Sequence, residues 1–177
     1  MEIQKPKNED LYRKYKIHLD DYNSIITKVS FDEIFIKYNL EKYKILFSRN
    51  LFGEKILEEL NTKGRISLNK ILLELFYLNS ALSLIKIIKQ YFDNITCVDF
   101  KENNFLFQID NTKTEEEKSI GFLFGLIDDY KNNHNIGQFN LQYSPLEQIF
   151  NNMTMKDKEN KYKVEIKINE EILDLFC

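Results

Sequence analysis

Apolar residues spaced three and four positions apart predict helices in the first third of the chain. One such helix is predicted over 30–38 and another over 54–60, and Gly64 is a residue type that ends helices. Alternating apolar and polar residues at 14–19 predict a short strand. The charged segment 1–13 shows neither period, so we expect it to be frayed.

The apolar run at 71–78 has no clear period and fits either a strand or a buried helix. Glu74 interrupts this run and weakens its interpretation as a strand. Ser80 follows, and serine is a residue type that caps helices. The next segment, 81–92, carries apolar residues at helical spacing, so we expect it to form a helix that begins at Ser80.

Strict alternation at 95–100 and 104–109 predicts two strands joined by the turn-forming sequence KENN. The residues expected to share a face are Thr96, Val98 and Phe100 on the first strand and Phe105, Phe107 and Ile109 on the second. A helix is predicted to open at Thr114, with an apolar face formed by Ile120, Leu123, Phe124, Ile127 and Tyr130. Alternation at 138–143 predicts one further strand.

With 71–78 taken as a strand, the elements follow the order strand, helix, two strands, helix, strand, which is the ferredoxin-like arrangement. The sequence therefore predicts an α+β protein with a ferredoxin-like βαββαβ core over residues 65–155. Residues 1–64 are predicted to be a mainly helical N-terminal extension. Residues 156–177 are predicted to be a C-terminal tail of one strand and one helix. The tail strand, 161–168, carries lysines typical of a sheet edge, and it is also able to pair with another chain by β-addition.

Composition and charge narrow the function classes. The chain has 177 residues and a net charge of -3, which is suited to one soluble domain rather than to a nucleic-acid binder. Its basic residues are nearly all lysines, and bidentate recognition of bases and phosphates favours arginine. We therefore expect no nucleic-acid partner.

The sequence also predicts a cytoplasmic location without direct membrane insertion. Its two cysteines, Cys97 and Cys177, do not form a disulfide framework, which fits a reducing compartment. The polar N-terminus lacks the apolar run of a signal peptide. No uninterrupted apolar run approaches the roughly 20 residues that a transmembrane helix needs.

No motif in the sequence carries a recognised chemistry, so we predict a non-catalytic protein with no cofactor and no metal site. His18 and His134 lack metal-ligand spacing, and GFLFG at 121–125 lacks the lysine of a phosphate-binding loop. Asp128 and Asp129 have no evident partner for acid–base catalysis. A catalytic set that folding assembles from distant residues stays an alternative.

Two features of the second half point to contacts with other elements. Gly121 and Gly125 are four residues apart and permit close approach of either the domain's own sheet or a partner helix. Ser144, Pro145 and Glu147 have the order of an N-cap, a first helical residue and a capping-box glutamate. The apolar residues that follow at helical spacing are Leu146, Ile149, Phe150 and Met153. An amphipathic helix is therefore predicted over 144–154.

The stretch from the strand IGQFNLQY into LEQIF resembles the C-terminal regulatory domain of the A subfamily of ABC transporters. There a strand is followed by Ser/Thr and then by Leu-Glu-x-Val/Ile-Phe. The residues that match this motif are Ser144, Leu146, Glu147, Ile149 and Phe150. The resemblance covers roughly residues 66–155, and Pro145 departs from the family's usual threonine. The chain has no P-loop, Walker B strand or LSGGQ-like signature.

The resemblance implies a non-catalytic, cytosolic regulatory or protein-interaction module. Its partner would be a protein, such as a nucleotide-binding domain or a larger assembly, reached at the cytosolic face of a membrane or in the cytoplasm. The five matched residues would be structural or interfacial. Two alternatives stay open: a structural subunit of a larger assembly with a convergent ferredoxin-like fold, and an enzyme or small-ligand binder.

Overall fold

The computed structural model of the protein describes residues 1–18, 21, 24–47, 52–92, 94–110, 119–142, 166–168 and 170–174, which form an α+β fold. The helices are α1 (Asn8–Tyr15), α2 (Phe31–Lys37), a 3₁₀ helix (Glu41–Phe47), α3 (Glu54–Lys63), α4 (Leu68–Ile88), α5 (Ile120–Tyr130) and α6 (Glu170–Asp174). The strands are β1 (Glu2–Ile3), β2 (Ile25–Thr27), β3 (Arg65–Ser67), β4 (Asn94–Lys101), β5 (Asn104–Asp110), β6 (Ile136–Gln138) and β7 (Ile166–Lys167).

A single long helix, α4, forms the centre of the fold. Ser67 caps it, because its hydroxyl accepts a hydrogen bond from the Lys70 backbone N–H at 3.3 Å. The strand predicted at 71–78 is wrong, because this run is part of α4. Ser80 is not a cap either, because it is buried in the middle of the same helix.

The burial of α4 explains why its sequence does not show a helical period. The elements that contact α4 are β1, α1, β3, α5 and α6. A helix that is covered on most of its sides is apolar on most of its sides, so it shows no clear period. By length and composition α4 is apolar enough to cross a membrane. However, 67% of its most apolar stretch is buried inside the protein, as in the core helix of a soluble protein.

Five antiparallel strands form the main sheet in the order β6-β1-β5-β4-β7. The N-terminal strand β1 therefore lies inside the sheet, and Ile3 is completely buried. The expectation that 1–13 is frayed is wrong, since α1 follows β1 and packs against α4. The strand predicted at 14–19 is also wrong where the chain is described, because Tyr15 is the last residue of α1.

The predicted hairpin is confirmed as β4 and β5, but the side chains of β4 divide differently between the two faces. Cys97 pairs with Phe107, and the next pair is Asp99 with Leu106, so Val98 is an extra residue in the ladder. Such a bulge reverses the alternation of the strand. Phe100 consequently lies on the same face as Cys97 and is paired directly with Phe105. The prediction that it shares a face with Thr96 and Val98 is wrong.

The other predicted elements are borne out to different extents. The helices predicted over 30–38 and 54–60 are confirmed as α2 and α3, and Gly64 ends α3 with a φ of 71°. The described part of the tail strand, β7, lies at a sheet edge beside β4, as predicted. The strand predicted over 138–143 is wrong for 139–142, because β6 ends at Gln138.

The ferredoxin-like arrangement predicted over 65–155 is not confirmed. Its first strand was placed at 71–78, which is helical, and the observed sheet has five strands instead of four. Thr114 lies outside the described residues, and the helix predicted to open there is described from Ile120, with Ser119 as its cap. The α+β class is confirmed. A small second sheet of β2 and β3 accompanies the main sheet.

Replacement of Glu102 by glycine is expected to raise the free energy of unfolding by about 1 kcal/mol. Glu102 is in the two-residue turn between the paired residues Lys101 and Asn104, and its φ is 53°. Non-glycine residues adopt this left-handed backbone at a cost of about 1–2 kcal/mol, which glycine avoids while losing more entropy on folding. Urea denaturation measures the change. The control is Glu102→Gln, which removes the charge and keeps the backbone cost; a glycine variant no more stable than the glutamine variant contradicts the prediction.

Candidate functional site

The outward face of α5 is apolar although it is exposed. The hydroxyl of Ser119 accepts a hydrogen bond from the Phe122 N–H at 3.1 Å and fixes the start of the helix. Leu123 and Ile127 then point into the core. Phe124 points outward with 53% of its surface exposed, and apolar side chains of this size are usually buried.

Two glycines lie on the same outward side of α5. A Cβ at Gly125 would meet no atom within 4 Å, and one at Gly121 would meet only the Ser119 hydroxyl, at 3.7 Å. Neither glycine is therefore required by packing against the described part of the fold. Of the two alternatives drawn from the sequence, close approach of the domain's own sheet is not seen at either glycine among the described residues.

The exposed apolar area continues from α5 onto the segment after β6. The rings of Phe124 and Phe139 are 5.0 Å apart, and Phe139 is partly buried. We call the surface formed by Gly121, Phe124, Gly125 and Phe139 the α5 surface. The helix stripe predicted from the sequence was too wide, because it placed Phe124 on the same buried face as Leu123.

The C-terminal end of α5 gives this surface an acidic border. Asp128 and Asp129 are both exposed, and Lys131 forms an ion pair with Asp128 at 2.6 Å. This pairing is a surface contact and does not create an acid–base pair. His134 lies beside Tyr130, with ring centroids 6.3 Å apart, and partial burial lowers the pKa of His134.

The motif residues predicted from the resemblance are not among the described residues. They are Ser144, Leu146, Glu147, Ile149 and Phe150, which lie between the described segments 119–142 and 166–168. Their assignment as interaction residues stays a prediction.

A second cluster surrounds Glu74, the acidic residue in the apolar run of α4. Burial raises the pKa of Glu74 from 4.5 to about 7, while Lys55 and Lys70 oppose this rise and Glu102 adds to it. Burial together with Glu102 and Glu74 also raises the pKa of Tyr77. A partly buried carboxyl group whose pKa is raised to about 7 is a feature that sequence periodicity does not reveal. The only signal was one acidic residue in an apolar run.

The two lysines that lower the pKa of Glu74 both have other partners. Lys55 donates a hydrogen bond from Nζ to the Phe100 carbonyl oxygen at 3.2 Å and lies 5.0 Å from the centre of the Phe100 ring. Lys70 forms an ion pair with Glu59. Within the described ranges, Glu74 makes no hydrogen bond and no ion pair.

The described residues contain no group of three or more His, Cys, Asp or Glu side chains that is arranged to hold a metal ion. Cys97 is buried, and burial raises the pKa of its thiol to about 12. Since the thiolate is the nucleophilic form of cysteine, Cys97 is an inert core residue.

Comparison with known proteins adds no relative: no family model matches the chain, and neither a curated protein nor a solved structure resembles it significantly.

Proposed function

We propose that the protein is a non-catalytic, cytoplasmic interaction module that binds a partner protein through the α5 surface. The observation that supports this proposal is the exposed, apolar outward face of α5. Contiguous exposed apolar residues with a polar border are typical of protein-interaction sites. The border here is formed by Asp128 and Asp129.

The geometry of the α5 surface suits an approaching helix or strand. Gly121 and Gly125 leave space above the helix backbone, since a Cβ at either position has little or nothing in contact. Phe124 protrudes beside them and serves as the anchor. Aromatic anchors in the centre of an interface carry a large share of the binding free energy.

We further propose that β1, α4, β4, β5, α5 and β6 form a ferredoxin-like core. In chain order these elements read strand, helix, strand, strand, helix, strand. In this interpretation β1 takes the place of the strand predicted at 71–78, the elements from α1 to β3 are an insertion, and β7 is an added edge strand. This core would be related to the regulatory domain that residues 66–155 resemble. The predicted motif, from Ser144 to Phe150, would then extend the α5 surface.

Replacement of Phe124 by aspartate is expected to reduce partner binding at least about tenfold while the fold is kept. The side chain is exposed, so a charge there costs little stability, whereas a charge in an apolar interface costs about 2 kcal/mol or more. The measurement is cross-linking and mass spectrometry of the tagged protein from its native cells, scored on cross-links near α5, such as those at Lys131.

The matched control is Val29→Asp. It places the same charge at an apolar residue that is 84% exposed and distant from Phe124 in the sequence. A Phe150→Asp variant tests the predicted motif in the same way. A partner with a nucleotide-binding domain favours the regulatory role, and a stable unrelated complex favours the structural-subunit alternative. If Phe124→Asp keeps the same cross-links as Val29→Asp, the α5 surface is not the binding site.

A further inference from the structure

One face of α5 is exposed from Gly121 to Asp128. It is formed by residues 121, 124, 125 and 128, whose spacing of i, i+3, i+4 and i+7 places them on one side of the helix, and all four are exposed. Leu123 and Ile127 are turned into the core instead. The exposed face therefore consists of the three helical residues of the α5 surface, followed by one carboxylate.

The shape of this face is complementary to itself. The ring of Phe124 protrudes, with 53% of its surface exposed. Beside it, a Cβ at Gly125 would meet no atom within 4 Å, so the helix backbone is open to an approaching side chain. When a second α5 lies antiparallel, with a two-fold axis between residues 124 and 125, Phe124 of each copy lies over Gly125 of the other. A protrusion next to a recess on one helix thus matches the same pair of features in a second copy.

The charges of α5 are complementary in the same arrangement. The helix has no acidic residue in its first turn, whereas Asp128 and Asp129 lie near its C-terminal end. Carboxylates are unfavourable at the C-terminus of their own helix and favourable at an N-terminus. The exposed ion pair of Asp128 with Lys131 offsets little of this. In the antiparallel pair, Asp128 lies opposite Gly121 of the other copy, close to backbone N–H groups that have no acceptor within their helix.

We propose that the partner of the α5 surface is a second copy of this chain, bound as an antiparallel pair of α5 helices with the two-fold axis between Phe124 and Gly125. This inference rests on the proposed function, because it names the partner of that same surface. Every contact of a two-fold interface occurs twice, so both Phe124 rings and both Asp128 carboxylates contribute. One helix face forms a small interface, so the dimer is expected to be weak and to depend on protein concentration.

Sedimentation equilibrium of the purified full chain tests the proposal. The protein concentration runs from about 1 μM to about 1 mM, which covers the dissociation constants of weak interfaces, and a monomer–dimer equilibrium is expected in this range. Phe124→Asp is expected to raise the dissociation constant at least about tenfold, because it places two carboxylates in the interface. The control Val29→Asp is expected to leave the constant unchanged. Asp128→Asn is expected to raise it about threefold or more at low salt, because two contacts with helix N-termini are lost.

A Gly125→Leu variant separates this packing from general adhesion of an apolar surface. Leucine enlarges the apolar area, and the fold tolerates it because the space at Gly125 is open and leucine is the better helix former. The same side chain fills the recess that receives Phe124, so the dissociation constant is expected to rise at least about tenfold. The control is Asn61→Leu, at an exposed residue of α3, which is expected to leave the constant unchanged.

The proposal is overturned if the chain stays monomeric at the highest concentration, or if Phe124→Asp dimerises as tightly as Val29→Asp. It is also overturned if Gly125→Leu does not weaken the dimer, and an unchanged constant in Asp128→Asn refutes the antiparallel orientation. A monomeric chain whose cross-links in cells are still lost in Phe124→Asp would mean that the α5 surface binds a different protein. The proposed function would then survive without the second copy, whereas cross-links that Phe124→Asp leaves unchanged would refute both.

Discussion

Replacement of Ile3 by aspartate is expected to lower the free energy of unfolding by about 4 kcal/mol or more. Ile3 is completely buried, and its strand lies between β5 and β6 in the sheet. Removal of a buried isoleucine side chain costs about 2–5 kcal/mol, and a buried unpaired carboxyl group adds a further penalty. Since whole domains are stable by only about 5–15 kcal/mol, this single change is expected to bring the protein close to unfolding.

The backbone around Ile3 explains why the structure cannot readily adjust to the change. The Ile3 N–H donates to the Asn103 carbonyl oxygen at 2.8 Å, and the Asn103 side-chain amide donates to the Ile3 carbonyl oxygen at 2.9 Å. On the other side of Ile3, the Gln4 N–H donates to the Asn135 carbonyl oxygen at 2.8 Å. These bonds hold the strand in one register, so the aspartate has no route to solvent that preserves them.

Urea denaturation followed by circular dichroism measures this effect. The matched control is Lys5→Asp, two residues further along, where the side chain is exposed and a change of less than about 0.5 kcal/mol is expected. An Ile3→Asp variant within 1 kcal/mol of the unchanged protein would show that β1 is not an integral strand of the sheet.

The position of β1 also shows where interpretation of the sequence failed. Two residues are too short to show an alternating pattern, and the surrounding residues are charged, so nothing local marks Glu2 and Ile3 as a strand. Their placement depends on partners about 100 residues away, such as Asn103 and Phe105. By contrast, β4 and β5 are neighbours in sequence with a short turn, and alternation was sufficient to predict them.

Helix α4 was misread for a different physical reason. Amphipathic helices such as α3 have one solvated face, and this face produces the period that predicts them. Because α4 is covered on several sides, its apolar run has no period, and the buried Ser80 imitated a cap. The bulge at Val98 is a third case, in which one extra residue moved Phe100 to the face opposite to that expected.

At the candidate sites too, the local sequence pattern could not predict which side chains are exposed and which are buried. Phe124 belongs to an apolar helical stripe, and only packing decides which members of the stripe are buried and which are exposed. The two glycines were noticed from their spacing, but the open space above them is a property of the fold. Glu74 was noticed only as an interruption, although partial burial raises the pKa of its carboxyl group to about 7.

Replacement of Glu74 by glutamine is expected to raise the free energy of unfolding at pH 8 by up to about 3 kcal/mol, with little change at pH 4.5. The pKa of Glu74 is about 7 in the folded protein, against 4.5 as its ordinary value. Between these two pH values the unfolded chain has lost the proton that the folded chain keeps. Stability contributed by the neutral carboxyl group is therefore fully present below pH 4.5 and is lost as the pH rises to 7, at about 1.4 kcal/mol per pH unit.

Glutamine is neutral at every pH, so the variant is expected not to lose this stability as the pH rises. The curves of unfolding free energy against pH for the variant and the unchanged protein should therefore separate between pH 4.5 and 7. Above pH 7 they should stay parallel. Any pairing of Lys55 with the ionised carboxylate reduces the separation, because it stabilises the charged form in the folded protein. Urea denaturation from pH 4 to 9 measures both curves. The control is Glu58→Gln on the exposed side of α3, whose curve is expected to follow that of the unchanged protein. Parallel curves for Glu74→Gln and the unchanged protein over the whole range would mean that the Glu74 carboxyl group is solvated in the folded protein.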